Sequence, residues 1–482
     1  MSLLRSLALL VLTLPPTLPL LVLIPRGFPH LLPPRDLDVV LHTGMLAMGG
    51  TLMALGLGLT LAYLAVRGGA GLIWESLLLL NYLVPPFVTG MGILFSLQVL
   101  GVKAYGVLGI LMAWTLHYTP LAYLLLKPQV EGALPLLQTA RVHGVMGLRR
   151  LRAFLPPLFP PLLVAGGTLY LALLGNFGVP AVLGLPERVY TLPTLVYARL
   201  TNPLAQDPLG EAATLGLWLG LLALPALLLS RPTLLEAKTP LLEKPHLSLR
   251  FLFALYVLGS LGLSLLGLLR EALFNPFTGR LDPVFAQALA LPLFRQGLLH
   301  SLLLSLLATG LLLSLALLLK PFPQALRVAR GALDLTYLMP GTLLGIGLIL
   351  LLAPTSLYGT PWLLLLAYLL HFAALALRSL EAGMRVEGAV LAGRVHGLPF
   401  WRSWLRLGYP LLLPSLFASG FLLFPLAFAE VTLSALLYAP GSETVGVTVL
   451  SALNGGLYRE AAALGLILAG VAALGLLGRP RW

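Results

Sequence analysis

Hydrophobic residues run through this chain in blocks of roughly 20, the length a helix needs to cross the hydrocarbon core of a bilayer. Short polar segments separate the blocks. On that pattern the sequence predicts twelve spans. Six fall near residues 6–24, 43–66, 76–98, 106–126, 158–178 and 212–230. Six more fall near 250–269, 297–319, 333–353, 361–378, 411–433 and 460–478. The first block follows Arg5 and ends near Ile24 with no small-x-small cleavage site after it, so it reads as a retained span. Between Arg231 and Ser248 the blocks stop. That stretch carries Glu236, Lys238, Glu243, Lys244 and three prolines, and it reads as a linker. The expected organisation is 1–230, a linker at 231–248, and 249–482.

The two halves repeat each other. Leu116-His117-Tyr118 and Leu370-His371-Phe372 are 254 residues apart, as are Pro156 and Pro410, and Pro160 and Pro414. Asn176 to Gly184 pairs with Glu430 to Tyr438 at the same offset. Leu41-His42-Thr43 opens one span and Leu299-His300-Ser301 another. The expected fold class is thus an all-α polytopic membrane protein, about 12 transmembrane helices in two parallel six-helix repeats. Parallel repeats imply a pseudo-two-fold axis along the membrane normal, where such proteins place a substrate path.

Composition strengthens the membrane reading: 59% of residues are hydrophobic and 10% charged, against about 25% charged in a soluble domain. The formal charge of +13 suggests nucleic acid less than it suggests positive-inside loops. With the N-terminus inside, 21 of the 30 Lys and Arg residues fall in inner segments. This bias predicts both termini in the cytoplasm. There are no cysteines, hence no disulfide framework and no thiolate metal site.

Two basic loops stand out, 127–160 and 379–414. One holds Gln138-Thr139-Ala140-Arg141-Val142-His143-Gly144 and the other Leu391-Ala392-Gly393-Arg394-Val395-His396-Gly397, with Arg-Val-His-Gly in common. Generic loop charge does not require a residue-level repeat. In the first loop the pattern predicts a short helix over 130–142 broken by Pro135, a tight turn at Gly144, and a second short helix over 148–154 before the prolines from Pro156 onward. Glycine accepts the positive φ that such a turn requires. The charge orientation puts both loops on the cytoplasmic side, where they form a docking device.

Ionisable groups inside spans are functional candidates. Glu430 and its repeat partner Asn176 either border a substrate path or make a helix-packing hydrogen bond. His117 and His371 carry the same two readings. Glu75 and Asp334 lie beside Arg67 and Arg330 and read as interfacial ion pairs. His143 and His396 read as interface residues. No set of residues has the spacing of a metal site.

Taken together, these residues resemble the fused permease subunit of a binding-protein-dependent ABC importer, in the iron(III)/thiamine branch. The family's cytoplasmic motif, Glu-Ala-Ala-x-x-x-Gly followed by Leu-Pro, is matched at Ala140, Gly144 and Leu155-Pro156, and at Ala392, Gly397 and Tyr409-Pro410. The motif's acid falls on Gln138 and Leu391. Leu83 to Val88 and Met339-Pro340-Gly341-Thr342 resemble the family's loop-entry prolines. Asn176-Phe177-Gly178-Val179-Pro180 and the segment from Phe428 to Gly441 resemble two further family segments. The resemblance implies a type I importer permease fold in a bacterial inner membrane, with Gln138, Ala140, Arg141, His143, Gly144, Leu391, Ala392, Arg394, His396 and Gly397 meeting two separate ATPase subunits. It implies an extracytoplasmic solute-binding protein as the other partner. The cargo it implies is iron(III), or else thiamine or another small solute. No Gly-x-x-x-x-Gly-Lys-Ser/Thr loop occurs, so ATP belongs to the partners and this chain is expected to be a transport subunit, not an enzyme. A proton- or sodium-coupled transporter would show acids in several mid-span positions, and a membrane enzyme would show clustered Asp, Glu or His.

Overall fold

The computed structural model describes residues 17–28, 34–145, 149–229, 246–322, 333, 339–381 and 386–478. Among these the secondary structure is helical, with one isolated bridge between Phe274 and Leu281 and no strand. A helix keeps every backbone N–H and C=O satisfied within its own segment, which a lipid surround demands. In chain order the elements are α1 (Thr17–Gly27), α2 (Pro34–Gly68), α3 (Leu72–Leu83), α4 (Pro86–Val99), α5 (Val107–Val142), α6 (Arg149–Leu174), α7 (Gly178–Leu183), α8 (Leu192–Leu200) and α9 (Pro208–Leu229). There follow α10 (Leu247–Leu273), α11 (Phe285–Ala290), α12 (Pro292–Leu319), α13 (Gly341–Leu352), α14 (Pro361–Glu381) and α15 (Glu387–Val395). The last are α16 (Phe400–Phe428), α17 (Thr432–Leu437), α18 (Val445–Asn454) and α19 (Tyr458–Leu474).

Eight of these helices are long and apolar enough to cross a membrane, so the chain is built as a multi-pass membrane protein. The expected twelve single long helices are not reached among the described residues. The block at 76–98 is broken: α3 and α4 meet at 98°. Pro85 and Pro86 cause the break. A residue before proline is pushed out of the helical region, and Val84 and Pro85 are extended at ψ 131° and 142°. Among the described residues the block at 333–353 holds the 12-residue α13, which starts just after Pro340. The last block yields the 17-residue α19, and the first lies partly outside the described residues. So does nearly all of the linker at 231–248, and so does Asp334.

The first basic loop is more helical than its prolines suggest. Helix α5 runs unbroken through Pro120, Pro128 and Pro135 to Val142. These prolines recur about two helical turns apart and so share a face. Val130, Ala133 and Leu134 on the same helix are buried against α2, α6 and α10 through Leu61, Ala62, Phe154 and Phe253. That packing outweighs the hydrogen bond lost at Pro135. Helix α6 likewise runs from Arg149 through Pro156, Pro157, Pro160 and Pro161, so the short helix expected over 148–154 is, from Arg149 onward, continuous with the span. Helix α16 runs through Pro410, Pro414 and Pro425 after a π-helical turn at Trp404–Gly408.

Two close crossings bind distant parts of the chain. Helix α10 lies on α4, where a Cβ on Gly92 would overlap the Ser264 carbonyl. Ser96 Oγ donates to Leu263 O at 3.0 Å and accepts from Gly267 N at 3.0 Å. At the other crossing α1 lies on α13, where a Cβ on Gly347 would overlap the Pro19 carbonyl. Small residues let backbones approach this closely, which is how helices associate in lipid.

Candidate functional site

A cavity of about 290 Å³ lies where the two halves of the chain meet. Its wall comes from the start of α4 (Pro86, Phe87), from α5 and α6 (Tyr118, Thr168), and from the α6–α7 joint (Asn176, Gly178). The second half contributes Pro340 and Gly341 at the start of α13, His371 on α14, and Glu430 to Thr432 at the α16–α17 joint. Both proline breaks thus end at the cavity. Gly178 is buried between Phe87 and Val431, one residue from each half, and has no room for a Cβ.

Asn176 and Glu430 both line this cavity, and each caps the short helix that follows it. Asn176 Oδ1 accepts from Val179 N at 3.0 Å. Glu430 Oε1 accepts from Leu433 N at 2.8 Å, and Oε2 accepts from Ser434 N at 3.0 Å. An oxygen at this position satisfies helix N–H groups that otherwise have no partner. The support behind each cap also corresponds. Trp114 Nε1 donates to Asn176 Oδ1 at 3.2 Å, and Asn176 Nδ2 donates to Tyr118 Oη at 3.0 Å. In the second half the Ser434 hydroxyl lies 3.2 Å from Glu430 Oε2 and 2.8 Å from Tyr368 Oη. Asn176 and Glu430 thus both border a cavity and both make hydrogen bonds that hold helix starts in place. Trp114, Tyr368 and Ser434 were not candidates from the sequence. Their position 254 residues apart, Trp114 against Tyr368, was the available signal.

The two span histidines differ. His371 faces the cavity, with its ring 5.0 Å from that of Phe372. His117 is buried away from it, between Tyr82 and Tyr118, and its Nδ1 lies 3.5 Å from Thr89 Oγ1 on α4. His117 has an interhelical place. Among the described residues no group of three or more His, Cys, Asp or Glu is arranged to hold a metal ion.

The two Arg-Val-His-Gly turns share one backbone geometry. Gly144 has φ +72° and Gly397 φ +86°. Val145 N donates to Ala140 O at 2.9 Å, and Leu398 N to Gly393 O at 3.0 Å. These are Schellman-type endings, which need a left-handed residue that glycine supplies without strain. Val142, His143, Gly144, Leu391, Ala392, Arg394, Val395, His396 and Gly397 are exposed, while Ala140 is buried. The side chains of Gln138 and Arg141 lie outside the described residues. Around the second turn, Ser403 Oγ donates to Val390 O at 2.6 Å, and the Arg394 guanidinium stands 5.7 Å from the Phe400 ring centre. Lys320 at the end of α12 pairs with Glu387 at 3.6 Å, which ties α15 to a span. In the first loop Lys127 pairs with Glu131 at 3.8 Å, and with Glu75 at 2.8 Å. Glu75, read from the sequence as an interfacial ion-pair residue, is thus paired with Lys127.

Ion pairs separate into two groups. One group lies at the loop end: Lys127 with Glu75 and Glu131, and Lys320 with Glu387. The other lies at the opposite end: Arg26–Asp207, Lys103–Glu187, Arg199 with Asp36 and Glu211, and Arg459–Asp282. No pair named here joins the two groups. The sequence matches no protein-family model and no curated protein.

Proposed function

We propose that this chain is the fused permease subunit of an ATP-driven importer, with two six-helix repeats of parallel orientation around a central path. The observation that carries the reading is the correspondence of paired features across the halves. The caps at Asn176 and Glu430, the left-handed turns at Gly144 and Gly397, and the crossings at Gly92 and Gly347 recur at offsets of 253 to 255 residues. A further match supports it: Thr43 Oγ1 accepts from Leu192 N, and Ser301 Oγ accepts from Val445 N, each at 2.9 Å. Two-repeat transporters bind substrate at the repeat interface, and a cavity lined from both halves at Asn176 and Glu430 supports the reading.

On this reading the chain lies in a bacterial inner membrane with both termini and both turns in the cytoplasm, as the lysine and arginine bias predicts. Two ATPase subunits dock on the exposed faces around Gly144 and Gly397. The chain supplies no nucleotide site of its own. ATP-driven closure of the ATPase pair draws the turns together. Helix α5 carries that motion along its full length to Tyr118 at the cavity, and the packing of α15 on α16 carries it to Glu430. A solute-binding protein delivers cargo at the opposite end. The proposed cargo is iron(III), with thiamine or another small solute as the alternative. Among the described residues Glu430 is the single carboxylate on the cavity wall, and both its oxygens already accept N–H bonds. A metal ion would therefore cross as a complex, because hard cations need several free oxygen ligands.

The test is co-purification from native membranes. A separate ATPase accompanies the parent chain and is lost when Gly144 and Gly397 are both replaced by bulky residues. Recovery of the folded chain without any ATPase, in parent and variant alike, would sink the reading.

A further inference from the structure

Two more cavities lie between the central cavity and the opposite end. The larger, of about 330 Å³, is walled by Leu94, Tyr105, Leu185, Leu450, Asn454 and Tyr458, with residues from both halves. It borders Lys103, Glu187 and Arg459 in sequence, so it belongs to the opposite end. The smaller, of about 40 Å³, shares Ala181, Leu185, Leu450 and Asn454 with it, and adds Phe177, Tyr197 and Tyr438.

The same short segments line the central cavity and the small one. Asn176 and Gly178 face the central cavity, while Phe177 between them faces the small one. In the second half Glu430, Val431 and Thr432 face the central cavity, while Ala435 and Tyr438, one to two helical turns on, face the small one. The Phe177 and Tyr197 rings pack at 5.4 Å. Tyr197 on α8 and Tyr438 at the end of α17 meet across the two halves over the small cavity. Both tyrosines are half-buried, and among the described residues no charged side chain lines either outer cavity.

We propose that Tyr197 and Tyr438, with Phe177 behind Tyr197, form the gate that closes the central cavity toward the opposite end. The inference rests on the permease reading and names the element that must part for cargo to enter. Its position follows from the caps. Asn176 and Glu430 fix the starts of α7 and α17, so a relative motion of the halves at these joints moves Phe177 and Tyr438 directly. The three side chains are rings without charge, so they separate without stranding an ion.

The absence of cysteine makes a direct test available. A single thiol is placed in the central cavity as Thr168→Cys, and an impermeant maleimide is added to intact cells. Phe277→Cys, at a turn tip that is 95% exposed at the opposite end, is the accessible control. We expect slow labelling at 168 in the gated chain, and at least tenfold faster labelling when Tyr197→Ala and Tyr438→Ala are added. Unchanged labelling at 168, with Phe277→Cys labelled normally, would overturn the gate. A Tyr197→Cys/Tyr438→Cys chain supplies a second measurement. A bifunctional maleimide should link its two thiols. Failure to link them would also overturn the gate. Labelling needs neither ATPase nor cargo, so a failed gate is distinguishable from a failed importer reading, which the co-purification decides.

Discussion

Replacing Gly397 by alanine probes the loop turn with little else disturbed. A Cβ there meets nothing within 4 Å, so the cost is purely conformational. At φ +86° an L-residue pays about 1–2 kcal/mol for the left-handed region. That shifts the population of the intact turn by about 5- to 30-fold. The chain should still fold, because the buried spans are untouched. Gly388→Ala is the internal control. It lies in α15, the helix that the Gly397 turn ends, also with nothing within 4 Å and without a positive φ, so alanine there stabilises the helix by about 0.5–1 kcal/mol. The assay is the retention of a co-purifying ATPase, measured beside the thermal midpoint of the membrane chain. Gly397→Ala should lose ATPase several-fold with a small change in midpoint, and Gly388→Ala should retain it. Equal behaviour of the two variants would refute the argument that the left-handed turn, and not the loop's charge or bulk, presents the docking surface.

Other substitutions test other links. Gly92→Leu and Gly347→Leu should abolish folded yield, read by size-exclusion chromatography in detergent, because each drives a side chain into a backbone carbonyl; Gly310→Leu, in open space, should not. Glu430→Ala removes the acceptor for two N–H groups and should lower stability by about 2 kcal/mol, within the range for a lost helix cap, whereas Glu430→Gln should keep most of that stability and test the charge alone in uptake. Arg199→Met strands Asp36, which is 9% exposed at its side chain, and should cost about 3–5 kcal/mol; the double variant with Asp36→Leu should recover much of the loss in thermal unfolding. Glu387→Gln should cost about 1 kcal/mol or more in thermal unfolding, because Glu387 is 64% exposed but Lys320, its partner at 3.6 Å, is 9% exposed and loses its counter-charge.

Much of this architecture was legible as hydropathy, since burial in lipid and burial in protein both select apolar residues. Eight of the expected blocks are long helices. The two glycine turns were legible because positive φ has few other solutions. The 254-residue offset in the sequence paired Asn176 with Glu430, and the structure adds that both cap helices. Other features were hidden by the same uniform hydrophobicity. Prolines mark the break at Pro85 and Pro86, but nothing in the pattern fixes its 98° angle. Pro135 looks equally disruptive and is spanned by α5, because buried contacts on the helix decide the outcome. Trp114 and Tyr368 count as apolar in any hydropathy reading, yet their polar atoms hold the caps at the cavity. The Glu75–Lys127 pair spans 52 residues, and only the docking of α3 on α5 brings it together.

The central claim is that cargo movement through this chain is driven by ATP through separate subunits. Its most direct measurement is uptake into right-side-out vesicles of native membrane, with labelled iron(III) and labelled thiamine in parallel and the proton gradient collapsed. The account predicts uptake of one of them when ATP is trapped inside, and its loss in the Gly144→Ala/Gly397→Ala chain. Uptake driven by a proton or sodium gradient in vesicles without ATP would contradict it.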